Sequence, residues 1–579
     1  MQNLSLFRSF RSFRSPTLRT LAPWLSVATA WLLFELPMAA APNRLDLRLV
    51  RPTGEVLGLL TALGLSYRVR AGRPIRAVLL GVAIVLGLLR IDRTVFFVLT
   101  RTEPLLYDQL FMVRHLVVLV SDLFSIQLFF SLVAAALVAA LTLFGVRALL
   151  RRGAPLLNAS REQEATRVAL AAWVVVTLLT ALGPRAPKVP LVRWMVPTLM
   201  ENLALSRRIY RSTQQRIAYS PYRTFDSVRL LRKPDVFLFF VESYGKLIAE
   251  HPGMRPAWAE AMSGVDTRLA RSGWHAVSAY GTAPVSGGRS WLAVGSILMG
   301  TTIQYEAVFR QFMDAVASVP TLTRFFARQG YETVLLAPSD RSRLGVTAEN
   351  HYAYDRYLRF SDLDYRGPQE GWGVVPDQYS LGYVGEHVLG QIHRPLFFHF
   401  HMVSSHAPWE IIPEYVSDFH SWNRLGAKRT ESHLSNEVGR RLERYTREEA
   451  QQTYMGDLTE TLREGYVASV LYDFRVIEDF LATRKNDALV IVMGDHQPPV
   501  VAPETVGFDV PIHVLARDPR LLEELTSRGF SPGLVLPADG EAVVEHAALF
   551  SLIVRALARC CGDGSPLPEF FPHGVSTGG

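Results

Sequence analysis

The sequence predicts two parts with different folds: an N-terminal multi-span α-helical membrane domain and a C-terminal α/β domain with a mostly parallel sheet. Hydrophobic residues make up 49% of the 579 residues and charged residues only 20%, with a mean hydropathy of +0.14. A chain of this length reaches that balance when part of it is buried in lipid. Long apolar runs occupy the first third of the chain, whereas short runs alternate with helical patterns after Lys233.

Five apolar runs are candidates for membrane spans. A helix needs about 20 mostly apolar residues to cross a hydrocarbon core of roughly 30 Å, and the first, fourth and fifth runs reach or approach that length. We therefore predict a transmembrane domain of about five helices over residues 1–183. The runs are Leu21–Pro42, Val56–Tyr67, Ala77–Leu89, which extends through Phe96–Leu99, Leu123–Val146 and Val168–Leu182.

The arginines that flank these runs predict the orientation of the chain. With a cytoplasmic N-terminus, the inner segments carry 13 arginines and the outer loops 7, which is the bias of a multi-pass protein of the cell membrane. Five spans then place everything beyond about Gly183 in the periplasm or outside the cell. The formal net charge of +8 is thus a topology signal, and we expect no nucleic-acid partner. An alternative is a signal-peptide cleavage site at Met38–Pro42.

Residues 184–233 are predicted to form a juxtamembrane linker, followed by an extracytoplasmic α/β domain over residues 234–579. Prolines interrupt an apolar and basic stretch within the linker. Leu191–Leu205 is either an amphipathic segment on the membrane surface or an ordinary connecting helix.

Short apolar runs after Lys233 predict the strands of the α/β domain. Asp235–Val241 is a continuous apolar run bounded by charge, which is typical of a strand buried on both faces. Strands alternating with helical patterns predict a mostly parallel sheet covered by helices, and ligands bind at the carboxyl ends of such strands. The other runs are Thr333–Ala337, Pro395–Val403, Ala488–Met493 and Val510–Ala516, and a helical pattern covers Thr459–Thr483.

Four chemistry-bearing residues follow three of these strands. Glu242 comes directly after the first, His406 just beyond Pro395–Val403, and Asp495 and His496 after Ala488–Met493. A mixed set of carboxylate and imidazole ligands suits one divalent ion, zinc or manganese, with magnesium as a further candidate. Any one of these residues alone is typical of a satisfied strand-end side chain, but their joint placement favours a metal centre.

A glycine-rich turn adds a fifth residue. In Pro284-Val-Ser-Gly-Gly-Arg-Ser290, two glycines precede a helix-like apolar run and place Ser290 at or near a helix N-terminus. Free backbone N–H groups there stabilise an anion such as a phosphoryl oxygen. Ser290 is therefore a candidate nucleophile, and a simple N-cap is the alternative.

This order of motifs resembles the alkaline phosphatase/sulfatase superfamily. A glutamate after the first soluble strand is followed by a serine that opens a helix, by His406-Ala-Pro408 and by Gly494-Asp-His496. Predicted spans followed by an exported domain are similar, more narrowly, to the membrane-anchored lipoteichoic acid synthase and phosphoglycerol transferase branch. The resemblance implies an alkaline-phosphatase/sulfatase-like fold.

The resemblance also implies roles for individual residues. Metal ligands would be Glu242, Ser290, Asp495 and His496, with Ser290 also the nucleophile. His406 would contact the transferred group or the leaving oxygen, and Arg341 or its neighbour Arg343 would clamp the head group. The branch usually has threonine as nucleophile, and Ser290 keeps the required hydroxyl.

The expected function is metal-dependent transfer of a phosphoglycerol-like head group from a membrane lipid donor to a glycan or lipid acceptor, through a covalent serine intermediate. Leu292 and Val294 replace the proline and arginine that formylglycine sulfatases require, which disfavours a classical sulfatase. Phosphoethanolamine transferases of this superfamily have domains cross-linked by cysteines. This chain has only the adjacent pair Cys560 and Cys561, which disfavours that activity. Alternatives are that transferase, a phosphodiesterase or sulfatase-type hydrolase, and a non-catalytic membrane scaffold.

Overall fold

The structure is a computed structural model, and its described residues form two compact units. The units are Met1–Val98 with Glu103–Arg208, and Leu99–Thr102 with Ile209–Gly579, called here the N-terminal and C-terminal units. The described residues are 40–41, 44–45, 59, 72–100, 102–112, 195–340, 350–368, 375–407, 409, 412–424, 450–499, 501–502 and 507–576.

Helix and short strands make up the described part of the N-terminal unit. Helix α1 covers Gly72–Thr100, nearly all of it in this unit, and includes the third predicted apolar run. Helix α2 covers Met195–Thr213 and continues past the unit's end; it contains the described part of Leu191–Leu205. Two-residue strands Ala40–Ala41 and Arg44–Leu45 pair antiparallel.

The other predicted spans lie outside the described residues, apart from Ala40–Ala41 and Leu59. Within the described part of the chain, no helix combines the length and the apolar character needed to cross a membrane. The membrane domain, its topology and the linker therefore stay predictions.

Among the described residues of the C-terminal unit, nine strands form one sheet, in the order β8-β2-β7-β6-β1-β5-β3-β4 with β9 also beside β2. The predicted α/β fold with a mostly parallel sheet is confirmed for this unit. The strands are β1 Asp235–Val241, β2 His275–Thr282, β3 Glu332–Ala337, β4 Arg356–Arg359, β5 Leu396–His401, β6 Ala488–Gly494, β7 Asp509–Ala516, β8 Ser531–Pro532 and β9 Ala542–Glu545.

Two features of the sheet differ from the predicted pattern. Strand β7, predicted as Val510–Ala516, runs antiparallel to both β6 and β2. Strand β2 carries polar residues among its apolar ones, and its sequence was not among the predicted runs because it lacks a continuous apolar core. Since β7 reverses direction between them, β2 runs parallel to β6, and both deliver their carboxyl ends to the same edge.

Helices cover both faces of the sheet, as the continuous apolar strands require. In β1, Phe237 and Phe239 pack into one core cluster, and Leu238 and Phe240 into the other; burying each such side chain stabilises the fold by about 1.5–3 kcal/mol. The helices are α3 Leu247–Glu250, α4 Arg255–Arg271, α5 Ser290–Met299, α6 Glu306–Asp314, α7 Leu322–Arg328, α8 Asp377–His387, α9 Ser421–Arg424, α10 Ala450–Ala482, α11 Glu523–Thr526 and α12 Ala548–Cys561, with 3₁₀ turns at Ser220–Phe225, Phe360–Asp362, Leu389–Gln391 and Pro519–Leu522.

Candidate active site

Two neighbouring strands deliver the acidic residues of the candidate site. Glu242 follows β1 and Asp495 follows β6, and the last residues of these parallel strands, Val241 and Gly494, lie in register. A Cβ at Gly494 would lie 1.8 Å from the backbone oxygen of Tyr244. Glycine at that position therefore lets the two strand ends approach closely enough for both carboxylates to share one site.

The turn after β1 adopts a strained conformation that a side chain of helix α10 stabilises. Ser243 has a φ of 60°, a left-handed conformation that costs a non-glycine residue of order 1–3 kcal/mol. The Tyr466 hydroxyl, on α10, donates to the Ser243 oxygen at 2.9 Å and accepts from the Gly245 N–H at 3.1 Å. These two hydrogen bonds fix the orientation of the turn that carries Glu242.

The two oxygens of Asp495 differ in their hydrogen bonding. Its Oδ1 accepts the backbone N–H groups of Ser243 and His496, both at 2.8 Å. Its Oδ2 is buried and has no hydrogen-bond partner among the described residues, an arrangement that costs free energy unless a ligand occupies the site.

Ser290 meets this acidic pair from a third chain segment. Its Oγ donates to Glu242 Oε2 at 2.9 Å and lies 3.2 Å from His496 Nε2. Helix α5 begins at Ser290, and the residue before it, Arg289, has a left-handed φ of 66° and occupies the N-cap position. Ser290 is therefore not the N-cap, and its hydroxyl points to the acidic pair instead.

The His496 ring is oriented so that one nitrogen faces the site. Nδ1 lies 2.9 Å from the backbone oxygen of Gln497; because a carbonyl only accepts, Nδ1 carries the hydrogen. Nε2, which lies 3.2 Å from Glu242 Oε1, then presents its lone pair in the neutral ring. A backbone acceptor behind the far nitrogen is the usual support of a metal-binding histidine.

The charges at this edge shift one another's pKa. Burial raises the pKa of Glu242, but His496 and then His401 hold it well below 4.5. Burial, followed by the Glu242 charge, raises the pKa of Asp495 to about 6. Burial lowers the pKa of His496, but the two carboxylates raise it to about 9. The site thus concentrates negative charge that a proton or a metal cation can neutralise.

The residues fit a divalent cation. One ligand atom each from Glu242, Asp495 and His496 lie within 4.8 Å of one another, and all three residues are buried. Asp495 Oδ2 and the lone pair of His496 Nε2 are ligand atoms of the kind that bind zinc and manganese. The Ser290 hydroxyl lies beside them, so the structure brings together all four predicted ligands.

His401 is a further residue at this edge that the sequence analysis did not select. Its Nε2 lies 3.5 Å from Glu242 Oε2 and 4.0 Å from Asp495 Oδ2, and this atom has no hydrogen-bond partner in the described part of the chain. His401 is the last residue of β5. The signal was available, because a histidine that ends an apolar strand sits where a parallel sheet places its ligands.

The remaining predicted site residues are His406 and the arginine of the head-group clamp. His406 is half-buried, and its charge lowers the pKa of Glu242 in addition to the larger effects of His496 and His401. It therefore belongs to the same edge. Arg341 and Arg343 lie outside the described residues, so the predicted head-group clamp stays a prediction.

Comparison with known families gives one match. Residues 297–512 match the family model described as Sulfatase. The matched range includes His406, Asp495 and His496, whereas Glu242 and Ser290 precede it. No curated protein matches the sequence.

Several solved structures are similar to this chain at low sequence identity. Lipooligosaccharide phosphoethanolamine transferase A of Neisseria meningitidis is 12% identical over 96% of this chain and 97% of its own, with a TM-score of 0.46. The lipoteichoic acid synthase LtaP of Listeria monocytogenes is 12% identical over 60% of this chain and 80% of its own, with a TM-score of 0.36. The phosphoglycerol transferase GacH of Streptococcus pyogenes is 11% identical over the same shares, with a TM-score of 0.35. Similarity at this level leaves the activity to be argued from the site.

Proposed function

We propose that this chain, whose residues 297–512 match the sulfatase family model, is a metal-dependent transferase that moves a phospho-head group from a membrane lipid to a glycan or lipid acceptor. The family match confirms the prediction of an enzyme of this superfamily. The observation that carries the finer proposal is the Ser290 hydroxyl, 2.9 Å from a Glu242 oxygen and 3.2 Å from His496 Nε2.

The surroundings of Ser290 suit attack on phosphorus. Glu242 accepts the hydroxyl hydrogen, and the first N–H groups of α5 are oriented to stabilise phosphoryl oxygens. A divalent cation held by Glu242, Asp495 and His496 would supply Lewis acidity that lowers the pKa of a hydroxyl and neutralises phosphoryl charge.

The reaction then proceeds in two displacements. The Ser290 oxygen bonds to phosphorus as the bond from phosphorus to the lipid alcohol breaks, and the departing oxygen takes a proton. We assign that proton transfer to His406, which lies at the same edge. The acceptor hydroxyl next attacks the phosphorus of this serine phosphodiester, the bond from phosphorus to the Ser290 oxygen breaks, and the proton of the acceptor restores the Ser290 hydroxyl.

The lipid donor is inferred from the N-terminal sequence. Predicted spans over residues 1–183 would tether the catalytic domain to the bilayer, where a lipid head group reaches the site without leaving the membrane surface. The identity of the head group rests on the experiment below.

Intact-mass analysis of the full chain in zinc or manganese tests this function. The protein is incubated with vesicles of phosphatidylglycerol or of phosphatidylethanolamine, and an adduct on Ser290 is expected whose mass identifies the transferred group. Ser290→Ala should form none, while Ser286→Ala, in the same turn, should resemble the parent. A parent that forms no adduct and releases no head group from either lipid contradicts the proposal.

A further inference from the structure

The segment Met402–His406, called here the His406 loop, is tied to the turn that carries Glu242. The Met402 N–H donates to the Phe240 oxygen at 3.0 Å and so extends the pairing between β5 and β1. The Ser405 hydroxyl donates to the backbone oxygen of Glu242 at 2.8 Å. Any displacement of this loop therefore moves His406 relative to Glu242.

Asp377 holds this loop from behind. It is the first residue of α8 and is completely buried. Its Oδ2 accepts the N–H of Val403 at 2.9 Å and of Ser404 at 2.7 Å. Its own N–H donates to the Ser404 hydroxyl at 3.1 Å. Two consecutive loop residues are thus fixed by one carboxylate.

A second carboxyl group lies against the first. Asp473, on α10, is also completely buried, and its carboxyl group lies beside the side chains of Asp377 and Ser405. Neither of its oxygens accepts a hydrogen bond from the described residues. A buried ionised carboxylate without a donor is strongly unfavourable.

Only one member of such a pair can be ionised. Asp377 accepts backbone N–H groups, which favour its charged form, whereas Asp473 has no such support. Burial and then the Asp377 charge raise the pKa of Asp473 well above 3.8. A neutral Asp473 carries an O–H, and its donation to Asp377 satisfies both groups.

We propose that Asp377 and Asp473 share one proton as a carboxylate and carboxylic acid pair and act as positioning residues that hold the His406 loop against the Glu242 turn. The catalytic consequence rests on the proposed function, because it assumes that His406 serves the reaction. The geometric part of the proposal does not need that assumption.

Amide hydrogen exchange of the full chain loaded with zinc tests the geometric part. Asp377→Asn and Asp473→Leu should speed exchange at Val403 and Ser404 by about tenfold or more, the loss expected for a hydrogen bond to a charged group. Asp473→Asn keeps a neutral donor and should stay close to the parent. Asp479→Asn is the matched control, since it lies on the same helix and bonds the Tyr415 hydroxyl at the surface.

Hydrolysis of bis-p-nitrophenyl phosphate tests the catalytic part. Asp377→Asn and Asp473→Leu should lower kcat by about tenfold with little change in KM or zinc affinity, and Asp473→Asn should retain the parent kcat. If Asp377→Asn does not fold, the contrast between Asp473→Asn and Asp473→Leu still decides the question.

Two outcomes would overturn the proposal. One is parent-like exchange in Asp473→Leu, which would mean that the pair does not hold the loop. The other is a lower melting temperature with kcat unchanged per zinc-loaded molecule, which would make the pair structural only. A parent that cleaves no diester refutes the proposed function instead, and the exchange rates then still test the pair.

Discussion

Two buried acidic clusters of the C-terminal unit are neutralised in different ways. Glu524, on α11, is buried and pairs with three arginines at 2.7–3.3 Å: Arg528, Arg555 and Arg559. Glu242 and Asp495 are as deeply buried, but the ion-pair partners that the described residues give them are His401 and His496.

This difference separates a stabilising cluster from a functional one. An arginine is always protonated, so the charge of Glu524 is balanced within the protein. A histidine, unlike an arginine, can lose its proton, and its free ring nitrogen can then bind a cation. The cluster around Glu242 can therefore exchange the protons of His401 and His496 for a metal cation, whereas the cluster around Glu524 cannot.

The largest expected effect is the loss of turnover in Ser290→Ala. Removing a covalent nucleophile costs several orders of magnitude in rate, on the order of 10⁴-fold or more. Zinc affinity should change little, because Glu242, Asp495 and His496 remain. Single-turnover cleavage of a phosphodiester, measured beside zinc affinity, checks both. Parent-like turnover with reduced stability alone would exclude Ser290 as the nucleophile.

The next effect is on metal affinity. Asp495→Asn removes the charge of the unpartnered oxygen and should lower zinc affinity by more than the roughly 100-fold that loss of an outer-sphere partner costs. Glu524→Gln should leave zinc affinity unchanged. Calorimetric titration of the metal-free chain measures both. Equal zinc affinity in the parent and in Asp495→Asn would show that Asp495 does not bind the cation.

Stability should respond to these two substitutions in the opposite order. Glu524→Gln leaves three arginines without their common partner and should lower the free energy of unfolding by about 3 kcal/mol. Asp495→Asn, without metal, relieves repulsion between two buried carboxylates and should not destabilise the chain. Urea unfolding in a chelator gives both values. A larger loss in Asp495→Asn would show that the histidines alone balance the site.

The smallest expected effect is a dependence of the free energy of unfolding on pH that arises from a residue outside both clusters. Burial lowers the pKa of His513 from 6.5 to about 3 in the folded chain. The unfolded chain therefore binds this proton first, and the free energy of unfolding falls as the pH drops from about 6.5 to about 3, at about 1.4 kcal/mol per pH unit.

His513→Gln should reduce that slope, because glutamine does not titrate. Urea unfolding at several pH values, with the surface variant Asp479→Asn as control, measures it. An unchanged slope in His513→Gln would assign the acid sensitivity to other groups, such as His399, whose pKa burial also lowers.

The sequence by itself determined the α/β character of the C-terminal unit. Continuous apolar runs bounded by charge are typical of strands covered on both faces, so β1, β3, β5, β6 and β7 were predictable from local pattern. Glycines before an apolar run likewise placed Ser290 at the start of a helix. These features depend on neighbours in the chain, which a sequence displays directly.

Only the tertiary structure decided which side chains meet. The direction of β7 and the presence of the more polar β2 depend on pairing with strands far away in sequence, and together they bring Ser290 to Glu242. The pair of Asp377 and Asp473 carries no local signal of that kind, and the end of β5 marks His401 as a candidate without showing which groups it meets. The roles of these residues depend on burial beside charged groups that are distant in sequence. The packing of the sheet against its helices decides which side chains are buried in this way.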